Sequence, residues 1–114
     1  MQQGYDGNVP ATAPLFAALG DPVRLAMLAR LCTGGPLSTM VLGQGIEVSR
    51  QAITKHLQVL EDAGLVSSDR VGRDRLWQMR PQQLVAAREY LDRMSAQWDT
   101  RLERLRKFVE EEFD

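Results

Sequence analysis

Five polar side chains share one side of a short stretch that begins just after Ser49: Arg50, Gln51, Thr54, Lys55 and Gln58. Together they offer guanidinium, amide, hydroxyl and ammonium groups, with no nucleophile–base pair among them. Arginine can grip a guanine edge through two hydrogen bonds, and glutamine can do the same for adenine. Threonine and lysine suit either bases or phosphates. Further along, Arg70, Arg73 and Arg75 crowd around Gly72. Guanidinium groups at such a tip can enter a minor groove or clamp a phosphate backbone. The chemistry on offer is recognition of double-stranded DNA rather than the making or breaking of bonds.

Residues suited to catalysis or metal binding are sparse. There is no glycine-rich phosphate loop, HExxH or GxSxG, and His56 is the only histidine. The chain is therefore expected not to be an enzyme, and neither catalytic residues, cofactor nor metal is expected. His56 reads as structural, with a phosphate contact from the side of its helix as the other use. Cys32, the sole cysteine, cannot form an intramolecular disulfide. It falls on an apolar stripe and is expected in the core.

The elements that must position these side chains can be read from periodicity and punctuation. Residues 1–13 are polar and rich in Gly, Pro and Gln, and read as a flexible tail. A short helix is expected at about Pro14–Leu19. Asp21-Pro22 then caps and opens a second helix to about Leu31. Leu25, Leu28, Ala29 and Cys32, at i, i+3, i+4 and i+7, are its expected buried stripe. Ser38 opens a short helix to about Gly43, and Gly45-Ile46-Glu47-Val48 forms a tight turn. Ser49 caps the helix that carries the polar face, with Ile53, Leu57 and Leu60 turned inward. Gly64 ends it. Strands follow at about Val66–Arg70 and Arg75–Met79, reversed through Gly72.

Pro81 begins a long last helix. Leu84, Leu91, Trp98 and Leu105 recur every seven residues, and Ala87, Met94 and Phe108 fill a second column broken by Arg101. So small a chain cannot cover a seam of this length by itself. The seam is expected to be a homodimer interface. The fold class is mainly α with a small β-hairpin, divided as 1–13 tail, 14–80 DNA-binding unit and 81–114 dimerisation helix within the same domain.

The chain has 114 residues, 44% of them hydrophobic and 25% charged, which suits one globular domain. Its net charge of −1 is not that of a globally basic nucleic-acid binder. The charge is uneven, however: residues 49–80 carry six basic and four acidic residues, and residues 81–114 carry six and eight. Local basicity is what DNA contact requires. No apolar run is long enough for a membrane span and no secretory signal opens the chain, so a cytoplasmic location with no membrane partner is expected.

Three stretches resemble the ArsR-type family of bacterial winged-helix repressors: Leu15–Leu25, Ser49–Leu60, and Ala63-Gly64-Leu65-Val66 with Gly72-Arg73 following. The resemblance spans about Leu15–Met79. It implies a winged helix-turn-helix with a long C-terminal dimerisation helix, the recognition helix over residues 49–63 and the wing over 66–79. It also implies a homodimer built from the first and last helices, with Leu15, Phe16 and Leu19 joining the seam, on an inverted repeat in a promoter, usually repressing its own or a neighbouring operon. A small-molecule inducer of unnamed kind would loosen that complex. Metal sensors of the family carry a cysteine pair before the recognition helix, or His and carboxylate ligands in the last helix. Here Leu37–Val48 holds no Cys and residues 81–114 hold no His, so the chain resembles the metal-independent branch. The alternative is a winged-helix protein–protein interaction module in which the basic face is incidental.

Overall fold

The computed structural model describes residues 12–113, and the expected tail lies almost wholly outside them. Helix α1 (Ala13–Leu19) starts one residue inside that tail. Asp21 then turns the chain: its carboxylate accepts from the backbone N–H of Val23 at 2.9 Å and of Arg24 at 3.0 Å. With Pro22 in the first turn, three of the unpaired donors of α2 (Pro22–Gly34) are met or removed.

The buried side of α2 differs from the expected one. Met27, Leu28 and Leu31 are buried, whereas Leu25, Ala29 and Cys32 are exposed, Leu25 by 51%. Of the expected stripe only Leu28 points inward, and Cys32 is a surface thiol. The reason is that α2 is apolar nearly all round, so two stripes compete and the neighbouring elements choose between them. The helix also runs three residues past Leu31 before Gly35, at φ +71°, ends it.

Strand β1 (Leu37–Ser38) follows, and Ser38 caps the one-turn helix α3 (Thr39–Leu42) through Val41 N–H. Arg30 reaches over from α2 and donates to the Leu42 carbonyl at 2.8 Å, covering the open end of that short helix. Helix α4 (Arg50–Asp62) is capped by Ser49, whose hydroxyl accepts from Ala52 N–H at 3.1 Å. At its other end Leu65 N–H bonds back to Leu60 O and Gly64 N–H to Glu61 O. This paired closure needs a left-handed residue, and Gly64 supplies it at φ +79°.

Strands β2 (Val66–Val71) and β3 (Asp74–Met79) pair antiparallel with Val71 opposite Asp74, leaving a two-residue turn, Gly72-Arg73. Gly72 alone has positive φ there, as a hairpin turn with glycine first requires. The expected hairpin is part of a three-stranded sheet, because β1 adds to the free edge of β3 with Leu37 opposite Trp77. Trp77 is buried, and its indole N–H donates to Thr39 Oγ1 at 2.9 Å. It fastens the sheet to α3. Around it lie Met27, Leu42, Leu57, Leu60 and Leu65, all fully buried.

Helix α5 (Pro81–Phe113) closes the chain. At ~1.5 Å per residue its 33 residues span about 50 Å. Only its first third touches the body, through Leu84, Ala87 and Tyr90, the last with its ring 5.9 Å from that of Phe16. From Leu91 through Glu112 every residue is exposed, and the molecule reaches 71 Å in its longest direction.

Candidate nucleic-acid interface

Helix α4 keeps Ile53, Leu57 and Leu60 in the core, 4% exposed or less, so its orientation is fixed by packing. Arg50, Gln51, Thr54, Lys55 and Gln58 are all exposed on the opposite side, together with the cap Ser49. The Thr54 hydroxyl donates to the Arg50 carbonyl at 3.2 Å, which leaves its acceptor lone pairs facing outward. Arg30 and the Trp77–Thr39 bond hold α3 in place ahead of this helix. The two form a helix-turn-helix with its second helix presented to solvent.

The wing stands beside it. A groove of about 310 Å³ is shared by Arg50 and Thr54 of α4, Arg73 and Arg75 of the wing, and Ser38 and Thr39 from the start of α3. Residues read as two separate basic features therefore line one concavity, with Asp74 the acidic member of its wall. The sequence marks Ser38 only as a cap and gives Thr39 no role. A hydroxyl at the mouth of a groove has no sequence signature of its own.

Arg70 and Arg75 face each other directly across the hairpin. Like charges so placed cost stability, and an anion bound between them would remove that cost. The three wing arginines are not equivalent. Arg73 is at the turn itself, whereas Arg75 donates to Ser68 Oγ at 2.8 Å. Gln58 is likewise engaged, its amide nitrogen 3.3 Å from both Glu61 Oε1 and Asp62 Oδ1. Carboxylates only accept, so both amide protons point at them and only the Gln58 carbonyl oxygen is left over.

His56 lies on the flank of α4 and is half-buried. Its Nδ1 is 3.1 Å from Arg24 Nη1 and 3.8 Å from Asp21 Oδ2. Arg24 also donates from Nε to the Ala18 carbonyl at 2.6 Å. One arginine thus joins the end of α1, the start of α2 and the middle of α4. The Arg24 backbone N–H bond, helped by the Val23 N–H and the Arg24 charge, outweighs the burial that opposes it and holds the Asp21 carboxyl below its ordinary value. The sequence gives this cluster no signal, because two arginines six residues apart in an apolar helix carry no pattern that names their partners. Among the described residues no three His, Cys, Asp or Glu side chains come together as metal ligands. Nor is any described helix long and apolar enough to cross a membrane.

The residues expected at a dimer interface divide in three. Leu15 and Ala87 are buried in the chain's own core, at 2% and 5% exposure, and so offer no surface to a partner. Phe16, Leu19 and Leu84 are half-buried against that core. Leu91, Met94, Trp98, Leu105 and Phe108 are exposed, Trp98 by 57% and Phe108 by 62%. Leu102 and Val109 are exposed as well and were missed by the strict seven-residue reading. With them the row runs 91, 94, 98, 102, 105, 109, so it passes Arg101 by a four-residue step. That spacing includes one eleven-residue repeat, 91 to 102, which favours a straighter helix than an unbroken heptad does.

A capped helix-turn-helix followed by an arginine-bearing β-hairpin defines a winged helix-turn-helix DNA-binding protein. The helix-turn-helix domain family matches residues 19–69. The HTH-type transcriptional regulator Rv2034 of Mycobacterium tuberculosis is 37% identical over 99 residues, 87% of this chain and 89% of that protein. The solved structure of an ArsR-like transcriptional regulator from Rhodococcus sp. RHA1 is 38% identical with a TM-score of 0.71, over 84% of this chain and 90% of that one. A second solved ArsR family transcriptional regulator, RHA00566, has the same TM-score at 29% identity, covering 75% and 88%. The chain belongs to the ArsR-type winged helix-turn-helix transcriptional regulators.

Proposed function

We propose that the chain is a homodimeric, sequence-specific transcriptional repressor that binds an inverted repeat in the promoter of its own or a neighbouring operon. Residues 14–80 form the DNA-binding unit and residues 81–114 the dimerisation helix. Recognition helix α4 enters the major groove, with Arg50, Gln51, Thr54 and Lys55 at the base edges and the adjoining phosphates, and Gln58 towards its far end. Arg70, Arg73 and Arg75 of the wing meet the flanking backbone and minor groove. The observation that carries this reading is the single groove shared by Arg50 and Thr54 with Arg73 and Arg75.

The dimer rests on the exposed row from Leu91 to Val109. A soluble protein rarely leaves so long an apolar row uncovered, and a second copy supplies a matching one. Metal-independence belongs to the same reading. The single thiol and single imidazole stand on different helices, and His56 Nδ1 is already taken by Arg24. An inducer that loosens the DNA complex also belongs to it, with no residue assigned. A cytoplasmic location follows from work on promoter DNA.

The test is binding to a duplex covering the promoter of the chain's own gene, against a scrambled duplex, over a salt series. Tight binding to the promoter alone, falling steeply with salt, is expected. Equal and weak binding to both duplexes, with salt-insensitive capture of a protein, would replace this reading with the interaction module.

A further inference from the structure

Four side chains make a continuous hydrogen-bonded path from the wing to the recognition helix. Arg75 on β3 donates to Ser68 Oγ on β2 at 2.8 Å. The same hydroxyl donates to Glu61 Oε2 on α4 at 3.0 Å. The other oxygen of Glu61 accepts from Gln58 at 3.3 Å. Arg75 pairs across the hairpin with Arg70, two residues from Ser68, so Arg75 and Ser68 are diagonal neighbours on one face of the sheet. It is the face that carries buried Trp77 and Val66, and it looks towards the helices.

We propose that Glu61 and Ser68 are positioning residues that lock the wing to the recognition helix, so that Arg75 and the base-reading face of α4 meet DNA as one rigid unit. The inference rests on the DNA-binding reading above. Three observations support it. Glu61 and Ser68 are both half-buried between the two elements, while Arg75 and Gln58 at the ends of the path are exposed. A serine hydroxyl has one proton, and here it is committed to the carboxylate, so the oxygen is left to receive the arginine. The guanidinium uses one of its five donors on Ser68 and keeps the others for phosphate.

The proposal makes a prediction opposite in sign to simple electrostatics. An acidic side chain that merely stood near DNA would repel it, and its removal would strengthen binding to any duplex. A positioning residue would instead be missed on the specific duplex. The experiment takes a duplex enriched by the wild-type chain from a random library, and a scrambled control. Glu61→Ala and Ser68→Ala should each bind the enriched duplex about tenfold more weakly, because each breaks the link between the wing and α4. Both should keep wild-type or tighter affinity for the scrambled duplex. Ser68→Thr, which retains the hydroxyl, should bind like wild type. Backbone amide order parameters for residues 69–75 of the free protein should fall in both alanine variants while those of α4 stay unchanged. Wild-type or tighter binding of Glu61→Ala to both duplexes would overturn the proposal, as would unchanged wing order parameters. A wild-type chain that enriches no duplex would overturn the DNA reading itself, and the order parameters would then decide the wing restraint alone.

Discussion

Arg24 Nη1 lies 3.1 Å from His56 Nδ1, and this contact ties the start of α2 to the middle of α4. A guanidinium can only donate, so His56 accepts through Nδ1 and its ring proton sits on Nε2. The same arginine bonds the Ala18 carbonyl at 2.6 Å near the end of α1. A charge placed there also answers the negative end of that helix.

Arg24→Ala should therefore destabilise the fold although it touches neither DNA nor the deepest core. Hydrogen bonds to charged groups contribute about 1.5–3 kcal/mol, and a loss in that range is expected from urea unfolding. Arg24→Lys should recover little of it, because a point charge cannot span the Ala18 carbonyl and the imidazole together. A wild-type midpoint for Arg24→Ala would show that the contact contributes nothing.

Asp21 gives the acid limb of the stability curve a defined origin. The fold holds its carboxyl below the ordinary value of 3.8, chiefly through the Arg24 N–H. A lowered folded value means that the ionised form is favoured in the native state. Its stabilising contribution is complete above pH 3.8 and disappears as pH falls through the lower folded value. The stability gap between wild type and Asp21→Ala should be widest near neutrality and narrow below pH 3.8. Thermal melts from pH 7 to pH 2 would show this. A gap that is constant with pH would assign the effect to the backbone turn alone.

Base readers and phosphate anchors should separate in their response to sequence and salt. Gln51→Ala and Thr54→Ala should lower affinity for the promoter duplex by about 1–3 kcal/mol and leave scrambled DNA almost unaffected. Arg73→Ala, at the hairpin turn, should weaken both duplexes alike and reduce the salt slope by about 1. An unchanged slope would remove Arg73 from the phosphate contacts.

Trp98 is the largest exposed side chain of the α5 row. If the row is covered by a second copy, Trp98→Glu should cost about 2–4 kcal/mol of dimerisation, roughly thirtyfold or more in Kd. Sedimentation should then show a monomer at concentrations where wild type is a dimer. Because the residue lies beyond the body of the chain, the unfolding midpoint of the monomer should not move. A wild type that sediments as a monomer throughout would end the dimer reading.

The legible parts of this fold are those where one pattern dominates. In α4 the apolar residues Ile53, Leu57 and Leu60 lie on one side and polar residues on the other, so its buried face could be read directly. Caps at Asp21, Ser38 and Ser49 and the stop at Gly64 were equally plain, because each depends on a local hydrogen bond or a positive φ. In α2 the surplus of apolar residues hid the true face, and Leu25, Ala29 and Cys32 point outward. Strand β1 is two residues long and exists only because β3 offers an edge. At the interface the exposed side chains of α4 were legible. The ties of Ser68 to Arg75 and Glu61, and of His56 to Arg24, were not, since those join residues through space with no spacing rule.

The central claim is that two copies of α4 read two half-sites together. A hydroxyl-radical footprint of the wild-type chain on its promoter duplex tests it most directly. The account predicts two protected blocks related by two-fold symmetry, centred about one helical turn apart, near 34 Å, with wing protection flanking each. A single asymmetric block, or no protection at concentrations that saturate binding, would contradict it.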